Sequence, residues 1–219
     1  MINFHRILDF KPRYMRQHIS ELVHMLETIY EDAPIRNMIE IGVYEGGSTY
    51  VWGQLVRRTS QDRNASGFVY AIDEKIGDEG STLPGWERQA PVYWGTLVEA
   101  NIVEIVGHSE DPEIIRRLKE RIEKDGKRDE IDLLYIDGDH SYEAARSDFE
   151  NYCHFVRPYG WIGFHDIKKP SMGVVQYWNE ISGKYEHHEF IMQRQHPDAQ
   201  CSIYEGYDVI GTGLLRWPG

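Results

Sequence analysis

Cysteine is nearly absent from this chain. Cys153 and Cys201 are the only two in 219 residues, too few to staple a domain of this length, and both read as buried thiols in a reducing compartment. No apolar run approaches the ~20 residues that span a bilayer. The stretch around His5, Arg6, Lys11 and Arg13 has no apolar core of a signal peptide, so the expected location is cytoplasmic. Basic residues are in deficit, with 24 Lys plus Arg against 36 Asp plus Glu and a formal net charge of −12. Such a field repels a phosphate backbone unless a local basic patch opposes it. The densest basic stretch, Arg116-Arg117-Leu118-Lys119, is interleaved with acids and reads as a solvated helix face. Neither nucleic acid nor membrane is therefore expected as a partner, and a homo-oligomer is compatible with the composition. Internal repeats and low-complexity segments are also missing.

What is present is a chain with 41% hydrophobic and 27% charged residues, enough to bury the core of one α/β domain. Short apolar runs alternate with longer amphipathic ones. Residues 13–31 place Ile19, Leu22, Val23, Leu26, Ile29 and Tyr30 on one helical face, ended by Pro34. Strands are expected at 38–42, 68–73, 102–106, 131–137 and 161–166. Helices are expected at 47–58, from Asp111-Pro112 onward, from Tyr142 to Val156, and near 172–182. Asp111 can cap its helix and Pro112 suits the first helical position. Pro158 and Gly160 are expected to stop the helix before them. Two final strands, near 186–194 and 206–216, complete the pattern. Strict alternation predicts a parallel sheet covered on both faces, with ligands beyond the carboxyl ends of its strands. The stretch 74–100 is too long for an ordinary connection. It reads either as a surface loop and helix (Val92 to Ala100) packed by its aromatics, or as a partial lid.

Four constellations fall on that rim. Glu40-Ile41-Gly42-Val43-Tyr44-Glu45-Gly46-Gly47-Ser48 is a glycine-rich strand-to-helix turn that lets backbone approach a ligand. It lacks the Gly-x-Gly-x-x-Gly spacing of a pyrophosphate cradle, and Glu40 would attract a cation rather than a phosphate. Asp73 ends the second strand, where a carboxylate can accept from ribose hydroxyls or simply cap a turn. Gly107-His108-Ser109 follows the third strand and either caps a helix or borders an adenine. Tyr135-Ile136-Asp137-Gly138-Asp139-His140-Ser141-Tyr142-Glu143 brings two carboxylates and an imidazole out of a buried strand, and His165-Asp166 arrives from the next. Asp137, His165 and Asp166 could hold a divalent cation, Mg²⁺ by its oxygens or Mn²⁺ and heavier ions by its imidazole. His140 or Asp139 could then take a proton from a polarised hydroxyl. Alternatively Asp137 caps the turn and no metal binds.

In this order, these motifs resemble the class I S-adenosylmethionine-dependent methyltransferases. Among them the chain is most similar to a bacterial and phage group related to macrocin-type sugar O-methyltransferases and cephalosporin-hydroxylase-like proteins. The resemblance covers roughly residues 35–180, and the block from Asp137 through Tyr142 carries it most specifically. It implies a single Rossmann-like three-layer domain over 1–219, with an N-terminal helical segment at 1–34 and an insertion at 74–100. Its sheet would have seven strands, mostly parallel, with the last antiparallel. It further implies that Glu40, Gly42, Tyr44, Gly46, Gly47 and Ser48 surround the methionine moiety, with Asp73 on the ribose and His108-Ser109 near the adenine. Asp137 would border the cofactor and, with Asp166, bind Mg²⁺, while Asp139 or His140 serves as base. His165 departs from the pattern, because the group places a carboxylate there.

The reading that follows is O-methylation of a hydroxyl on a small polar molecule, such as a sugar or glycosylated metabolite, with S-adenosylmethionine as cofactor and Mg²⁺ or Mn²⁺ assistance. Two rivals remain at this level: a metal-dependent hydrolase using the same Asp/His rim, and a non-catalytic binding protein with the same fold. The hydrolase leaves Glu40 and Asp73 without a task. A nicotinamide dehydrogenase is disfavoured by the missing glycine spacing.

Overall fold

The computed structural model describes residues 19–44, 46–61, 67–74, 101–193 and 209–219. The expected helix and loop of 75–100, residues 13–18 of the first helix, and Cys201 lie outside them. Helix α1 spans Ile19–Asp32, strand β1 Asn37–Ile41, helix α2 Gly47–Gln61, and strand β2 Phe68–Asp73. Strand β3 spans Asn101–Val106, helix α3 Pro112–Lys124, strand β4 Ile131–Ile136, and helix α4 Tyr142–Tyr152. Strand β5 spans Val156–Phe164, helix α5 Gly173–Ile181, strand β6 His187–Gln193, and strand β7 Val209–Arg216.

The seven strands form one sheet in the order β3-β2-β1-β4-β5-β7-β6. β1 pairs in parallel with β2 and β4, β2 with β3, and β4 with β5, while β7 runs antiparallel to both β5 and β6. The expected Rossmann-like sheet with one reversed strand is what forms. Strand periodicity divides the core between two faces. Met38, Val69, Leu133, Tyr135, Trp161 and Leu214 face α1 and α2. Ile39, Ile72, Leu134, Ile136, Ile162 and Phe164 face α3, α4 and α5. β1 and β4 are buried on both faces along their length, which is why they read as continuous apolar runs rather than alternating ones.

The helices start where local chemistry satisfies their free N–H groups. Asp111 accepts from the Glu113 amide at 2.8 Å, Pro112 takes the first helical position, and Ile114, Leu118 and Ile122 form the buried stripe of α3. Each of those side chains contributes about 1.5–3 kcal/mol by leaving water. Ser141 caps α4 by accepting from the Ala144 amide at 3.2 Å.

Two expectations needed correction. α4 ends at Tyr152, gives a short 3₁₀ turn over Cys153–Phe155, and β5 begins already at Val156. Pro158 and Gly160 therefore lie within the strand rather than before it. They are accommodated because Ile131 pairs with Val156 and Leu133 with Trp161, so β5 bulges outward over Arg157–Gly160. There Pro158 is exposed, and the ladder asks no N–H of it. Arg157 turns back to Asp132 at 2.7 Å, and Asp132 also accepts from the Arg36 amide at 2.8 Å. Cys153 is a free thiol but only half-buried. Among the described residues no helix is long and apolar enough to cross a membrane.

Candidate active site

The strand ends are locked in line across the sheet. Gly42 N donates to Ile72 O at 2.9 Å, Asp137 N to Ile41 O at 2.8 Å, and His165 N to Ile136 O at 3.1 Å. The residues that follow β1, β2, β4 and β5 thus emerge on one rim.

The glycine turn is held from below and from the side. Gly42 has φ +88°, and a Cβ there would lie 2.0 Å from the Asp137 carbonyl oxygen, so only glycine permits this approach of the β1 and β4 ends. Tyr44 takes a left-handed φ of 50° and is exposed. Asp73 Oδ2 accepts from both the Val43 and Tyr44 amides at 2.8 Å, so the carboxylate expected on a ribose also braces the turn. Glu40 is fully buried. Its oxygens accept from Trp52 Nε1 at 2.9 Å and, at short range, from Thr49 Oγ1. Burial pushes its carboxyl up to about 8 against the hydrogen bonds from Ser48, Thr49 and Trp52. Glu40 thus sits beneath the turn and ties it to α2, with Ser48 buried beside it and Gly46 and Gly47 leading into the helix.

On the β3 side, His108 is exposed and lies 3.3 Å from Glu74. The Ser109 carbonyl accepts from Tyr152 at 2.7 Å. Asp148, buried in α4, hydrogen bonds with the Ser109 side chain, and burial raises its carboxyl to about 6. This link between α4 and the β3 loop was not visible in the sequence.

At the ends of β4 and β5 charges alternate. His165 Nδ1 lies 3.1 Å from Asp137 Oδ1 and 3.5 Å from Asp166 Oδ2. His140 Nε2 lies 3.1 Å from Asp166 Oδ2 and 3.6 Å from Asp137 Oδ1. Hydrogen bonds to Asp137 and Asp166 raise His140 to about 9 against the opposing effect of burial. Burial favours neutral His165, yet the two carboxylates outweigh it and hold the ring charged. Burial likewise opposes ionisation of Asp137 and Asp166, but both imidazoles outweigh it and keep the carboxyls below their usual range. Asp166 adopts a left-handed φ of 58°, a backbone strain of about 1–3 kcal/mol that places its carboxylate in the group.

Asp139, the other base considered, is exposed, and its Oδ1 accepts from the Ser141 amide at 2.7 Å. It acts as a turn residue ahead of α4. Among the described residues, Asp137, His140 and Asp166 offer potential ligand atoms that all lie within 4.8 Å of one another. His165, the imidazole of the expected trio, meets the same two carboxylates at 3.1 and 3.5 Å. The residues fit a divalent ion: two carboxylates converge with two imidazoles that now supply the positive charge between them.

A Rossmann-like sheet with a reversed strand, a glycine turn after β1 and an acidic rim after β4 and β5 defines the class I methyltransferase architecture. Residues 39–167 match the family described as "Methyltransferase domain", and the chain belongs to it, a family of methyl-transferring enzymes. An uncharacterized protein of Sinorhizobium fredii is 28% identical over 157 residues, 67% of this chain, but the chain spans only 15% of that protein. Among solved structures, the TDP-rhamnose 3'-O-methyltransferase of calicheamicin biosynthesis superposes with a TM-score of 0.59 at 16% identity, covering 100% of this chain and 88% of that one. The mycinamycin-pathway methyltransferase in complex with Mg and SAH gives 0.54 at 17% identity, covering 98% and 55%. At such identities the likeness concerns the fold.

Proposed function

We propose that this chain uses S-adenosylmethionine to methylate a hydroxyl of a small polar molecule, with a sugar or glycosylated metabolite as the acceptor class and a divalent cation assisting. The observation that carries the reading is the meeting of Asp137, His140, His165 and Asp166 on the rim that holds the glycine turn. Membership of the methyltransferase family supports the transfer. The sugar substrate named for the calicheamicin enzyme and the Mg present in the mycinamycin enzyme support the acceptor class and the metal.

S-adenosylmethionine supplies a methyl group already activated on a sulfonium, so the protein has only to bind, align and move one proton. Backbone at Gly42–Tyr44, held by Asp73, offers a close surface for the cofactor. Asp137, His165 and Asp166 would hold the cation, whose Lewis acidity would polarise the acceptor hydroxyl. His140 Nε2 faces the two carboxylates, and in this reading it takes the hydroxyl proton. It does so only where another positive charge offsets those carboxylates, because with its pKa raised to about 9 it already carries a proton at neutral pH. Asp166, its partner at 3.1 Å, keeps the ring in place.

Calorimetric titration with S-adenosylhomocysteine, with and without Mg²⁺ or Mn²⁺, tests the cofactor. A panel of sugar nucleotides and glycosylated acceptors incubated with labelled cofactor tests the transfer. Absence of cofactor binding under every condition would refute the reading.

A further inference from the structure

The mechanism leaves two buried polar atoms unexplained on the α1 side of the site. His165 is 3% exposed, and its Nε2, opposite the nitrogen that meets Asp137, has no hydrogen-bond partner among the described residues. Glu21 of α1 is fully buried. Its Oε1 accepts a short hydrogen bond from Thr212 Oγ1, and its Oε2 has no partner among the described residues. Thr212 in turn lies 3.4 Å from the Tyr135 hydroxyl. An unpaired buried carboxylate oxygen and an unpaired buried imidazole nitrogen are each costly.

Strand register brings the two together. Tyr135 and Leu214 face α1, and Asp137 and Thr212 share that face by the two-residue period. β5 pairs Phe164 with Gly213, so one further step sets His165 abreast of Thr212. Directly opposed antiparallel residues place their side chains on the same face, with Cβ atoms about 4.5–5.5 Å apart. The carboxylate held by Thr212 is therefore within reach of the His165 ring. Electrostatics agrees: burial is the largest influence on Glu21 and raises its carboxyl, and the strongest opposing influence is the charge of His165.

We infer that Glu21 is the outer carboxylate of His165, accepting from its Nε2–H directly or through one enclosed water and so fixing Nδ1 toward Asp137. Glu21 is a positioning residue, not a catalytic one. Histidines that ligate metals commonly donate their second N–H to such a carboxylate. Glu21 and Thr212 flank the matched family segment of 39–167, so elements outside that segment shape the site from behind. The inference rests on the proposed function only for the use to which His165 is put.

The test compares wild type with Glu21→Gln, which removes the charge, and Glu21→Leu, which removes the acceptor. Mn²⁺ is the probe, titrated by electron paramagnetic resonance. The ring nitrogens of ¹⁵N-histidine-labelled protein are read by NMR, with His165→Asn assigning the resonance. Mn²⁺ affinity should fall about 10–100-fold in Glu21→Leu and less in Glu21→Gln, and the His165 Nε2 resonance should move in both. S-adenosylhomocysteine affinity without metal should stay within about 2-fold, which also reports a folded variant. Unchanged Nε2 resonances in both variants would overturn the inference. So would losses of Mn²⁺ affinity that simply add in the Glu21→Gln, His165→Asn double variant. Should wild type take up no Mn²⁺ yet bind S-adenosylhomocysteine, metal assistance falls and the NMR arm alone decides Glu21.

Discussion

Replacing Glu40 by Gln isolates the energetic consequence of burying a carboxyl beneath the glycine turn. In the folded protein the Glu40 carboxyl titrates at about 8, against an ordinary value of 4.5. The folded state therefore holds a proton that the unfolded state has released between those two values. A raised carboxyl favours folding most below the unfolded value, and that contribution disappears as pH rises through the folded one. Between pH about 5.5 and about 7.5, this single group removes about 2.5 kcal/mol of stability. In Glu40→Gln the introduced amide can accept from Trp52 Nε1 through its carbonyl and donate to Thr49 once that hydroxyl turns, so the variant should fold. Urea unfolding of both proteins, free of cofactor and metal, measures the difference. Relative to wild type, Glu40→Gln should gain about 2.5 kcal/mol from the lower to the higher pH, about 0.8 M in midpoint for an m-value near 3 kcal/mol/M. His140 and His165 titrate in both proteins and cancel. Midpoints that fall in parallel across this window would refute the argument.

Five further substitutions probe the site and its support. Gly42→Ala should cost about 2–5 kcal/mol of unfolding free energy, from left-handed strain and from the clash with the Asp137 carbonyl; a loss under about 1 kcal/mol in urea would contradict the close approach. Asp73→Ala removes the acceptor of two backbone amides and should weaken S-adenosylhomocysteine binding at least about 10-fold by calorimetry. Unchanged affinity would show that the brace is irrelevant to the cofactor. His140→Ala should lower turnover about 100-fold or more while cofactor affinity is nearly kept; turnover surviving in both His140→Ala and Asp139→Ala would show that neither is the base. Gly173→Ala would bring a Cβ within 2.2 Å of the Tyr142 amide. It should strain the bond from Val174 N to His140 O, 3.1 Å long, and lower kcat more than it changes KM; a kcat equal to wild type would exclude that coupling.

The sheet was legible because its central strands β1 and β4 are buried on both faces and read as apolar runs, and because the reversed final hairpin follows from the resemblance. The β5 start was misjudged for a physical reason. Pro158 and Gly160 ordinarily punctuate, and a bulge that lets both sit inside a strand depends on pairing with β4. The rim residues were legible as strand-end motifs, yet their roles depend on partners distant in sequence. His140 joins Asp137 and Asp166 only after the β4 loop folds back over β5. Glu21 was invisible: in the amphipathic pattern of α1 a glutamate reads as solvated, and only Thr212, 191 residues away, shows that it is buried. Asp148 of α4 is hidden in the same way, since its partner Ser109 lies on the loop after β3.

The burial of Glu21 follows from how the sheet is wound. In a wholly parallel sheet every strand brings its late residues to the ligand rim, and nothing early in a strand can support the site. β7 runs the other way, so Thr212, in its first half, stands beside His165 at the end of β5. Ile167 N bonds Gly211 O at 3.0 Å, and Lys168 reaches Glu189 of β6 at 2.7 Å. The reversed hairpin is thereby joined to the same loop that carries Asp166, and α1 is drawn over it by the Glu21–Thr212 bond. Residues 39–167 supply the groups that face a ligand. The back of the His165 ring is closed by α1 and β7, one from before that segment and one from after it. Rigidity at Asp137 and Asp166 thus depends on packing that the motifs themselves do not encode.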